Sequence, residues 1–344
     1  MSTDSHGSEK ITTVRLGAQG PETGVQGLGC MGMSFAYGPT DTDEARATLE
    51  RALELGVTLY DTADMYGAGE NEKFISPFVR AHRDEITLAT KFAISLDPSD
   101  PTKRFIRNDR PYVRQCVEAS LRRLGVEEID LYYMHRRDVD VPIEESVGAM
   151  AELVTEGKVR HLGLSEVTAG ELRAAQAVHP IAALQSEWSL FSRDVEDGVV
   201  DAARELGVAF VPYSPLGRGF LTGAFANAEK DLTGDDFRRQ QPRFTGENAS
   251  ANAALLDPVR QVADAHGATL GQIALAWVHQ QARLREGLTV VPIPGTRKRS
   301  RVEENTAATR IELSADELAL LEPIAARVAG DRYADMSFTS AGRQ

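Results

Sequence analysis

The sequence contains little cysteine, no long apolar run and no excess of positive charge. Cys30 and Cys116 are the only cysteines, so no disulfide framework can form, and we expect a reducing, cytoplasmic location. No apolar run approaches the roughly 18 residues of a membrane-spanning helix, so we expect no membrane partner. The 51 acidic residues exceed the 38 basic ones, and the net charge of −13 argues against nucleic acid as a partner.

Signals for metal binding and export are also missing. The seven histidines are dispersed, without an H-E-x-x-H motif or clustered cysteine ligands, so we predict no metal site. Residues 1–10 are polar and lack the apolar core of a signal peptide. They predict a disordered tail, followed by a single domain over residues 11–344. A composition of 42% hydrophobic and 26% charged residues is ordinary for a globular protein.

Short apolar runs alternate with amphipathic stretches along the chain. The runs are nearly continuous and partly β-branched, which is typical of parallel strands covered on both faces. The alternation predicts an α/β fold, a (β/α)8 TIM barrel with an N-terminal hairpin and an extra C-terminal helix, with an open doubly wound sheet as the alternative. The predicted strands span residues 25–28 (the weakest), 57–60, 86–89, 129–134, 159–164, 181–185, 208–212 and 288–291.

Proline and glycine mark the ends of several predicted helices. Pro111 suits a first helical turn, and Gly56 and Gly125 stand where a left-handed residue ends a helix. The predicted helices span about residues 42–55, 111–124, 143–156, 169–178, 195–206, 252–283, 299–308 and 315–328. The long connection 216–250 is expected over the C-terminal face of the barrel, and residues 11–24 are expected to form the hairpin.

Residues 27–32 match the G-x-G-x-x-G pattern of dinucleotide-binding folds. That pattern requires a helix that opens at its last glycine, whereas the next helical pattern begins only near Thr42. We therefore interpret the glycines as a strand end whose backbone lies close to another part of the molecule.

Four polar residues follow three successive predicted strands. Asp61 and Tyr66 come after the second strand, Lys91 ends the third and His135 follows the fourth, so all four should meet at one rim of the barrel. A free tyrosine, with a pKa of about 10, is a poor acid at neutral pH. A nearby ammonium lowers that pKa. Lys91 can supply this charge, Asp61 can orient it, and His135 can position a carbonyl oxygen for proton transfer from Tyr66.

These motifs and several others resemble those of the aldo-keto reductase family over about residues 11–340. The segment 61–67 is similar to the strand-two motif of that family, and Lys91 and His135 match its catalytic tetrad. The segments 163–166, 185–188 and 213–219 are similar to its motifs on strands five, six and seven. The branch with the greatest resemblance holds bacterial and plant reductases similar to perakine reductase and auxin-induced proteins.

The resemblance implies NADPH or NADP+ as cofactor, extended across the barrel mouth. Ser165, Gln185 and Glu166 would meet the nicotinamide carboxamide. Much of the family has asparagine where this chain has Glu166, whose carboxylate can accept from the carboxamide NH2 but cannot donate to its oxygen. Tyr213 would stack on the nicotinamide ring. The resemblance also places Ser214, Leu216, Gly217 and Arg218 along the pyrophosphate, and Gly29, Cys30, Met31 and Asp61 beside the nicotinamide half.

The segment 293–301 carries a basic run in an otherwise acidic chain. It precedes a predicted helix, whose N-terminal N–H groups favour phosphate, and arginine binds phosphate in a bidentate manner. This favours NADPH over NADH, with a solvated basic helix start as the alternative. By resemblance, the contacts would come from Ile293, Gly295, Thr296, Arg297 and Arg301 around the 2′-phosphate and from Glu304 and Asn305 at the adenine.

The sequence thus predicts an NADPH-dependent reductase of aldehydes or ketones. A regulatory subunit that senses NADP(H) with vestigial activity is the alternative, and the chain is expected to be a monomer or a homo-oligomer with a small-molecule carbonyl substrate. Met and aromatic side chains make adaptable apolar pockets. The candidates for the substrate pocket are Met33, Met65, Phe92, Trp188 and Met336, with Tyr333 and Phe338 beside them in the C-terminal loop.

Overall fold

The chain begins with a hairpin that closes one end of the barrel. The computed structural model describes residues 9–97, 100–225, 231–232, 234 and 236–343. Strands Thr13–Arg15 (β1) and Glu22–Gly24 (β2) pair in antiparallel fashion. Leu16 follows β1 and packs into the barrel interior. The hairpin is therefore confirmed, and the predicted tail lies outside the described residues except for residues 9 and 10.

Seven parallel strands form the wall of the barrel. In the order of the sheet, each is hydrogen-bonded to the next. They are Leu28–Gly29 (β3), Leu59–Asp61 (β4), Thr87–Phe92 (β5), Ile129–Met134 (β8), Val159–Ser165 (β9), Ile181–Glu187 (β10) and Ala209–Tyr213 (β11).

Residues 289–295 close the barrel between β11 and β3. The Ile293 N–H donates to the Pro212 carbonyl (3.0 Å), and the Gly27 N–H donates to the Pro292 carbonyl (2.9 Å). Pro292 and Pro294 carry no N–H donor, so this eighth segment makes isolated bridges rather than a regular ladder. The predicted eight-membered barrel is confirmed, and its eighth strand is irregular for this reason.

Close backbone packing at this seam explains the glycine-rich segment 27–32. A Cβ atom on Gly29 would lie 3.0 Å from the Ile293 carbonyl oxygen, and one on Gly27 would lie 2.9 Å from the Ile293 side chain. Helix Thr42–Glu54 (α1) begins ten residues after the last glycine of the motif. The glycines therefore serve barrel closure and not a dinucleotide-binding turn.

Helices cover the outside of the barrel. The first six are α1, Glu70–Ala81 (α2), Arg110–Leu124 (α3), Ile143–Thr155 (α4), Ala169–Val178 (α5) and Val199–Glu205 (α6). The later ones are Gly246–Ala254 (α7), Asp257–His266 (α8), Leu270–Leu284 (α9), Arg299–Ala307 (α10) and Ala315–Leu321 (α11). Within the described ranges, no helix is long and apolar enough to span a membrane.

Two helix predictions were wrong in their boundaries. The region predicted as a single helix over 252–283 contains parts of three helices. Helices α8 and α9 are separate because Gly267 takes a left-handed conformation at the end of α8 and Thr269 forms a capping box that starts α9. The helix predicted to reach residue 328 ends at Leu321 and continues as a 3-10 turn that contains Pro323.

A second hairpin, Ile94–Asp97 (β6) with Asp100–Ile106 (β7), follows β5 and was not predicted. It lies between the third barrel strand and α3, on the face where the site residues emerge. Ile94–Asp97 alternates between apolar and polar residues but is only four residues long, and Asp100–Ile106 does not alternate.

Candidate functional site

The four candidate catalytic residues come together at the carboxyl ends of the strands. Asp61 ends β4, Lys91 lies in β5, His135 follows β8 and Tyr66 lies in the turn after β4. Lys91 forms a fully buried ion pair with Asp61, and its ammonium also donates to the Thr62 carbonyl oxygen (2.8 Å). Parallel strands end at one rim, so residues far apart in sequence become neighbours here.

Tyr66 lies between the ammonium of Lys91 and the imidazole of His135. The Lys91 nitrogen is 5.3 Å from the centroid of the Tyr66 ring. The His135 ring meets the Tyr66 ring edge-on, with 5.9 Å between centroids. Phe35, which the sequence did not single out, stacks against Tyr66 at 6.2 Å. The phenol is thus held by contacts on several sides.

Burial keeps the Tyr66 hydroxyl protonated. Burial, followed by the Asp61 carboxylate, raises the pKa of Tyr66 well above its ordinary value, and the Arg136 guanidinium opposes this rise. We expected Lys91 to lower this pKa, but the net direction is upward, because burial and the Asp61 carboxylate favour the neutral phenol. A tyrosine that stays protonated at neutral pH can still act as a proton donor.

His135 is neutral at physiological pH. Burial, together with the cations Arg136 and Lys91, lowers the pKa of His135 well below its usual value. Its Nδ1 and the Nε of Arg136 are buried, and neither has a hydrogen-bond partner among the described residues. Such unpaired polar atoms are costly unless a ligand satisfies them, so the barrel mouth suits a polar ligand.

The residues expected around the nicotinamide lie in or beside three neighbouring strands. Ser165 ends β9 and accepts a hydrogen bond from Arg136 (3.2 Å). The Gln185 amide, in β10, donates to Asp61 (2.8 Å). The Tyr213 hydroxyl, at the end of β11, donates to Glu166 (2.7 Å). The fold therefore brings these predicted residues together above the tetrad.

The Glu166 carboxylate is already saturated by protein donors. Its Oε1 accepts from the Glu187 N–H (3.3 Å), Tyr213 (2.7 Å) and Arg332 (2.9 Å). Its Oε2 accepts from Arg332 (3.3 Å) and from the N–H (3.0 Å) and hydroxyl (3.2 Å) of Ser340. A carboxylate has about four lone-pair sites, so no acceptor capacity is left for the amide group of a carboxamide.

Backbone strain accompanies these contacts. Glu166, Ser214 and Arg218 adopt positive φ angles of 51°, 48° and 58°. A left-handed conformation costs a residue other than glycine about 1–2 kcal/mol, so the surrounding contacts must compensate. Strained residues of this kind cluster at functional sites.

Arg218, expected along the pyrophosphate, points into the protein. It is buried, pairs with Glu187 (3.2 Å), donates to the Arg332 carbonyl (2.8 Å) and lies 4.2 Å from the centroid of the Tyr333 ring. Leu216 and Gly217 form the turn beneath it. The structure therefore joins Arg218 to the C-terminal residues rather than presenting it at the surface.

The basic run lies at the start of α10, as predicted. Arg297 donates to the Thr40 hydroxyl (2.8 Å) and to the Tyr37 carbonyl (3.0 Å). Arg301 pairs with Glu304 (2.6 Å), and both side chains are at least partly exposed. Thr296 accepts from the Lys298 N–H (3.2 Å). The remaining predicted adenine contact, Asn305, is buried at the inner face of α10.

The segment 29–31 lies at the rim beside Asp61. The Cys30 N–H donates to the Asp61 carbonyl (2.8 Å), and burial raises the pKa of the Cys30 thiol. Met31 begins a 3-10 turn and is half-buried. Gly295 bridges Gly29 across the barrel seam, so Gly29 and Gly295, predicted as cofactor contacts, have a structural role of their own.

Three predicted substrate-pocket residues lie in the hydrophobic core instead. Phe92 follows Lys91 in β5, and because side chains alternate along a strand it points outward, where it stacks on Tyr132. Trp188 packs edge-on against Phe210 and Trp277. Met33 packs in the cluster beneath α1. Met65 is buried beside Tyr66, and Met336 is half-buried in the C-terminal loop.

No role was predicted from the sequence for Phe35, Arg136 or Arg332. Arg136 follows directly on His135 and could have been noticed as a basic residue at a strand end. Arg332 gave no signal, because its partners Glu166 and Asp194 are more than a hundred residues away in the sequence. In the part of the chain that the structure describes, no group of His, Cys, Asp and Glu could hold a metal ion.

Known proteins resemble this chain over most of its length. The model of the Aldo/keto reductase family matches residues 27–326. A glycerol dehydrogenase from Gluconobacter oxydans is 28% identical, with 92% of this chain and 95% of that chain covered and a TM-score of 0.78. An aldo/keto reductase from Klebsiella pneumoniae, in complex with NADP and acetate, is 26% identical, with coverages of 94% and 99% and a TM-score of 0.69. An aldo-keto reductase from the same species, in complex with NADPH, is 25% identical, with coverages of 93% and 99% and a TM-score of 0.69.

Proposed function

Because the chain belongs to the aldo/keto reductase family and is an NADP(H)-dependent oxidoreductase, we propose that it reduces aldehydes or ketones to alcohols. The observation that carries the proposal is the contact of Tyr66 with both the Lys91–Asp61 ion pair and the neutral His135. This arrangement places a protonated phenol and an imidazole at the same end of the barrel.

Each residue of the site has a distinct part in the proposed reaction. Tyr66 donates its proton to the carbonyl oxygen as negative charge develops there. His135, neutral and with an unpaired ring nitrogen, hydrogen-bonds the same oxygen and fixes its position. Lys91 stabilises the negative charge that forms on Tyr66, and Asp61 holds the ammonium in place.

The mouth of the barrel and the start of α10 fit the cofactor. Unpaired donors at the mouth and the arginines beside the N-terminus of α10 suit the amide and phosphate groups of NADPH. When bound, NADPH supplies the hydride that reduces the carbonyl carbon. Thr296, Arg297 and Arg301 would hold its 2′-phosphate, and Ser165 and Tyr213 would contact the nicotinamide.

A deuterium-transfer experiment tests this function. The protein is incubated with NADPH labelled with deuterium at C4 and a panel of aromatic and aliphatic aldehydes, while absorbance at 340 nm is followed. We expect NADPH oxidation that requires aldehyde, with one deuterium on the carbinol carbon of the alcohol. Tight NADPH binding without turnover of any aldehyde would contradict the proposal and favour a regulatory subunit that senses NADP(H).

A further inference from the structure

The last described residues of the chain cover the barrel mouth. The C-terminal segment (residues 331–343) is near the end of the sequence, yet Arg332, Thr339 and Ser340 are almost fully buried, at 2%, 0% and 1% exposure. Within the segment, Tyr333 packs edge-on against Phe338 with 5.0 Å between ring centroids. The Phe338 ring lies 5.6 Å from the Arg136 guanidinium, directly next to His135.

Glu166 is the main attachment point of the C-terminal segment. Arg332 and Ser340 together supply four of the six hydrogen bonds to its carboxylate. Arg343 adds a bond to the Glu166 carbonyl oxygen and an ion pair with Glu171 (3.0 Å). Because the carboxylate lies at the end of β9, these bonds tie the segment to the wall of the barrel.

The same carboxylate also fixes Tyr213. The Tyr213 hydroxyl donates to Glu166 (2.7 Å) and lies 3.3 Å from the Tyr333 hydroxyl. Tyr213 is the side chain that we expect to stack on the nicotinamide ring. The Glu166 carboxylate therefore holds both the C-terminal segment and the ring of Tyr213, so a change at Glu166 should move both.

The Glu166 carboxylate that attaches the segment is ionised at physiological pH. Burial would raise the pKa of Glu166, but Arg332 and Arg136 outweigh it and lower the pKa to about 2. Asp194, the second carboxylate at Arg332 (3.1 Å), has a raised pKa because burial exceeds the effect of Arg332. Glu187 also faces Arg332, at 4.0 Å. Of Glu166 and Asp194, Glu166 is thus the carboxylate that stays ionised beside Arg332 to lower pH.

From these contacts we propose that Glu166 is a positioning residue and not a carboxamide ligand. It holds the C-terminal segment over the barrel mouth and fixes the ring of Tyr213, so that the segment must detach from it before NADP(H) leaves. This inference rests on the proposed function, because it assumes that the mouth holds the nicotinamide end of the cofactor.

Two variants of the full-length protein separate the two roles. Glu166→Gln keeps the size of the side chain, removes its charge and adds an amide donor that could serve a carboxamide. Arg332→Met removes the guanidinium group, which is the partner of Glu166 on the C-terminal segment. Arg327→Met is the matched control, because Arg327 is exposed and lies just before the segment.

Two quantities are measured for each variant. One is the hydrogen–deuterium exchange of amides 331–343 without cofactor, and the other is the rate constant of NADPH dissociation by stopped flow. We expect Glu166→Gln and Arg332→Met each to raise both quantities by about tenfold or more, as loss of a hydrogen-bonded charge typically does. The double variant should add little to either single change, and the control should change neither.

Other outcomes would overturn the proposal. Slower NADPH release in Glu166→Gln, with the segment still protected from exchange, would make residue 166 a carboxamide ligand. Unchanged exchange and unchanged release in Arg332→Met would remove the attachment role, and this variant remains informative if Glu166→Gln does not fold. If the unmodified protein binds no NADPH, the proposed function fails, while the exchange data still report whether Glu166 holds the segment.

Discussion

At the scale of single residues, charge pairing decides which groups at the barrel mouth can exchange protons. Lys91 is buried against Asp61, and the negative charge of Asp61 opposes the effect of the ammonium on the phenol of Tyr66. Burial raises that pKa and lowers the pKa of His135. Both groups are therefore uncharged at neutral pH, one as an acid and the other as a hydrogen-bonding partner.

Because both groups are uncharged at neutral pH, the two directions of the reaction should depend differently on pH. Carbonyl reduction needs protonated Tyr66, whose pKa is raised well above 10, so kcat should stay flat between pH 6 and 9. Alcohol oxidation needs the phenolate, whose fraction grows about tenfold per pH unit below the pKa, so its kcat should rise steadily over the same range. Both profiles are measured at saturating cofactor. A decline of the reduction rate between pH 6 and 9 would contradict this assignment.

The four residues of the tetrad can be located from the sequence, because each follows or ends a predicted strand and parallel strands end at one rim of the barrel. The sequence therefore predicted Asp61, Tyr66, Lys91 and His135 as neighbours. It could not predict the pairing of Glu166 with Arg332 and Ser340, because no periodicity links residues so far apart. It also misplaced Phe92 and Trp188, since apolar residues at strand ends can face either the mouth or the helices.

At the scale of elements, the boundaries of strands and helices follow local chemistry. The regular strands β8, β9 and β10 begin at the predicted residues, and each begins with a β-branched residue, which favours an extended conformation. The eighth segment contains two prolines and forms only isolated bridges. The capping residues Gly267 and Thr269, rather than apolar periodicity, separate α8 from α9.

Close packing between β8 and β9 gives a prediction about stability. A Cβ atom at Gly163 would lie 2.4 Å from the ring of Tyr133, its partner in the strand register. Gly163→Ala should therefore lower the free energy of unfolding by about 1–3 kcal/mol, the usual cost of overpacking. The measurement is equilibrium denaturation in urea followed by circular dichroism.

The matched change lies in α4. A Cβ atom at Gly148 meets nothing within 4 Å, and the residue lies in a helix interior. Gly148→Ala should raise the free energy of unfolding by about 0.5–1 kcal/mol, because alanine loses less conformational freedom in a helix. Equal effects of the two substitutions would show that the packing at Tyr133 is looser than the structure indicates.

At the scale of the whole molecule, the first and the last described segments of the chain close opposite ends of the barrel. The hairpin β1–β2 brings Leu16 into the barrel interior, and the C-terminal segment covers the mouth through Glu166. The tetrad lies between them, buried apart from part of Tyr66. This enclosure excludes water from the reacting groups, which strengthens the electrostatic contacts on which proton transfer depends.

The most direct test of the account compares Tyr66→Phe with the unmodified protein. The phenylalanine ring keeps the packing against Phe35 and His135 and removes only the hydroxyl. With NADPH and an aldehyde that the unmodified protein reduces, kcat should fall by about 10²–10⁴-fold, the typical contribution of a general acid, while the dissociation constant for NADPH stays within about twofold. Equal rates of NADPH oxidation at 340 nm in the two proteins would contradict the role of Tyr66 as the proton donor.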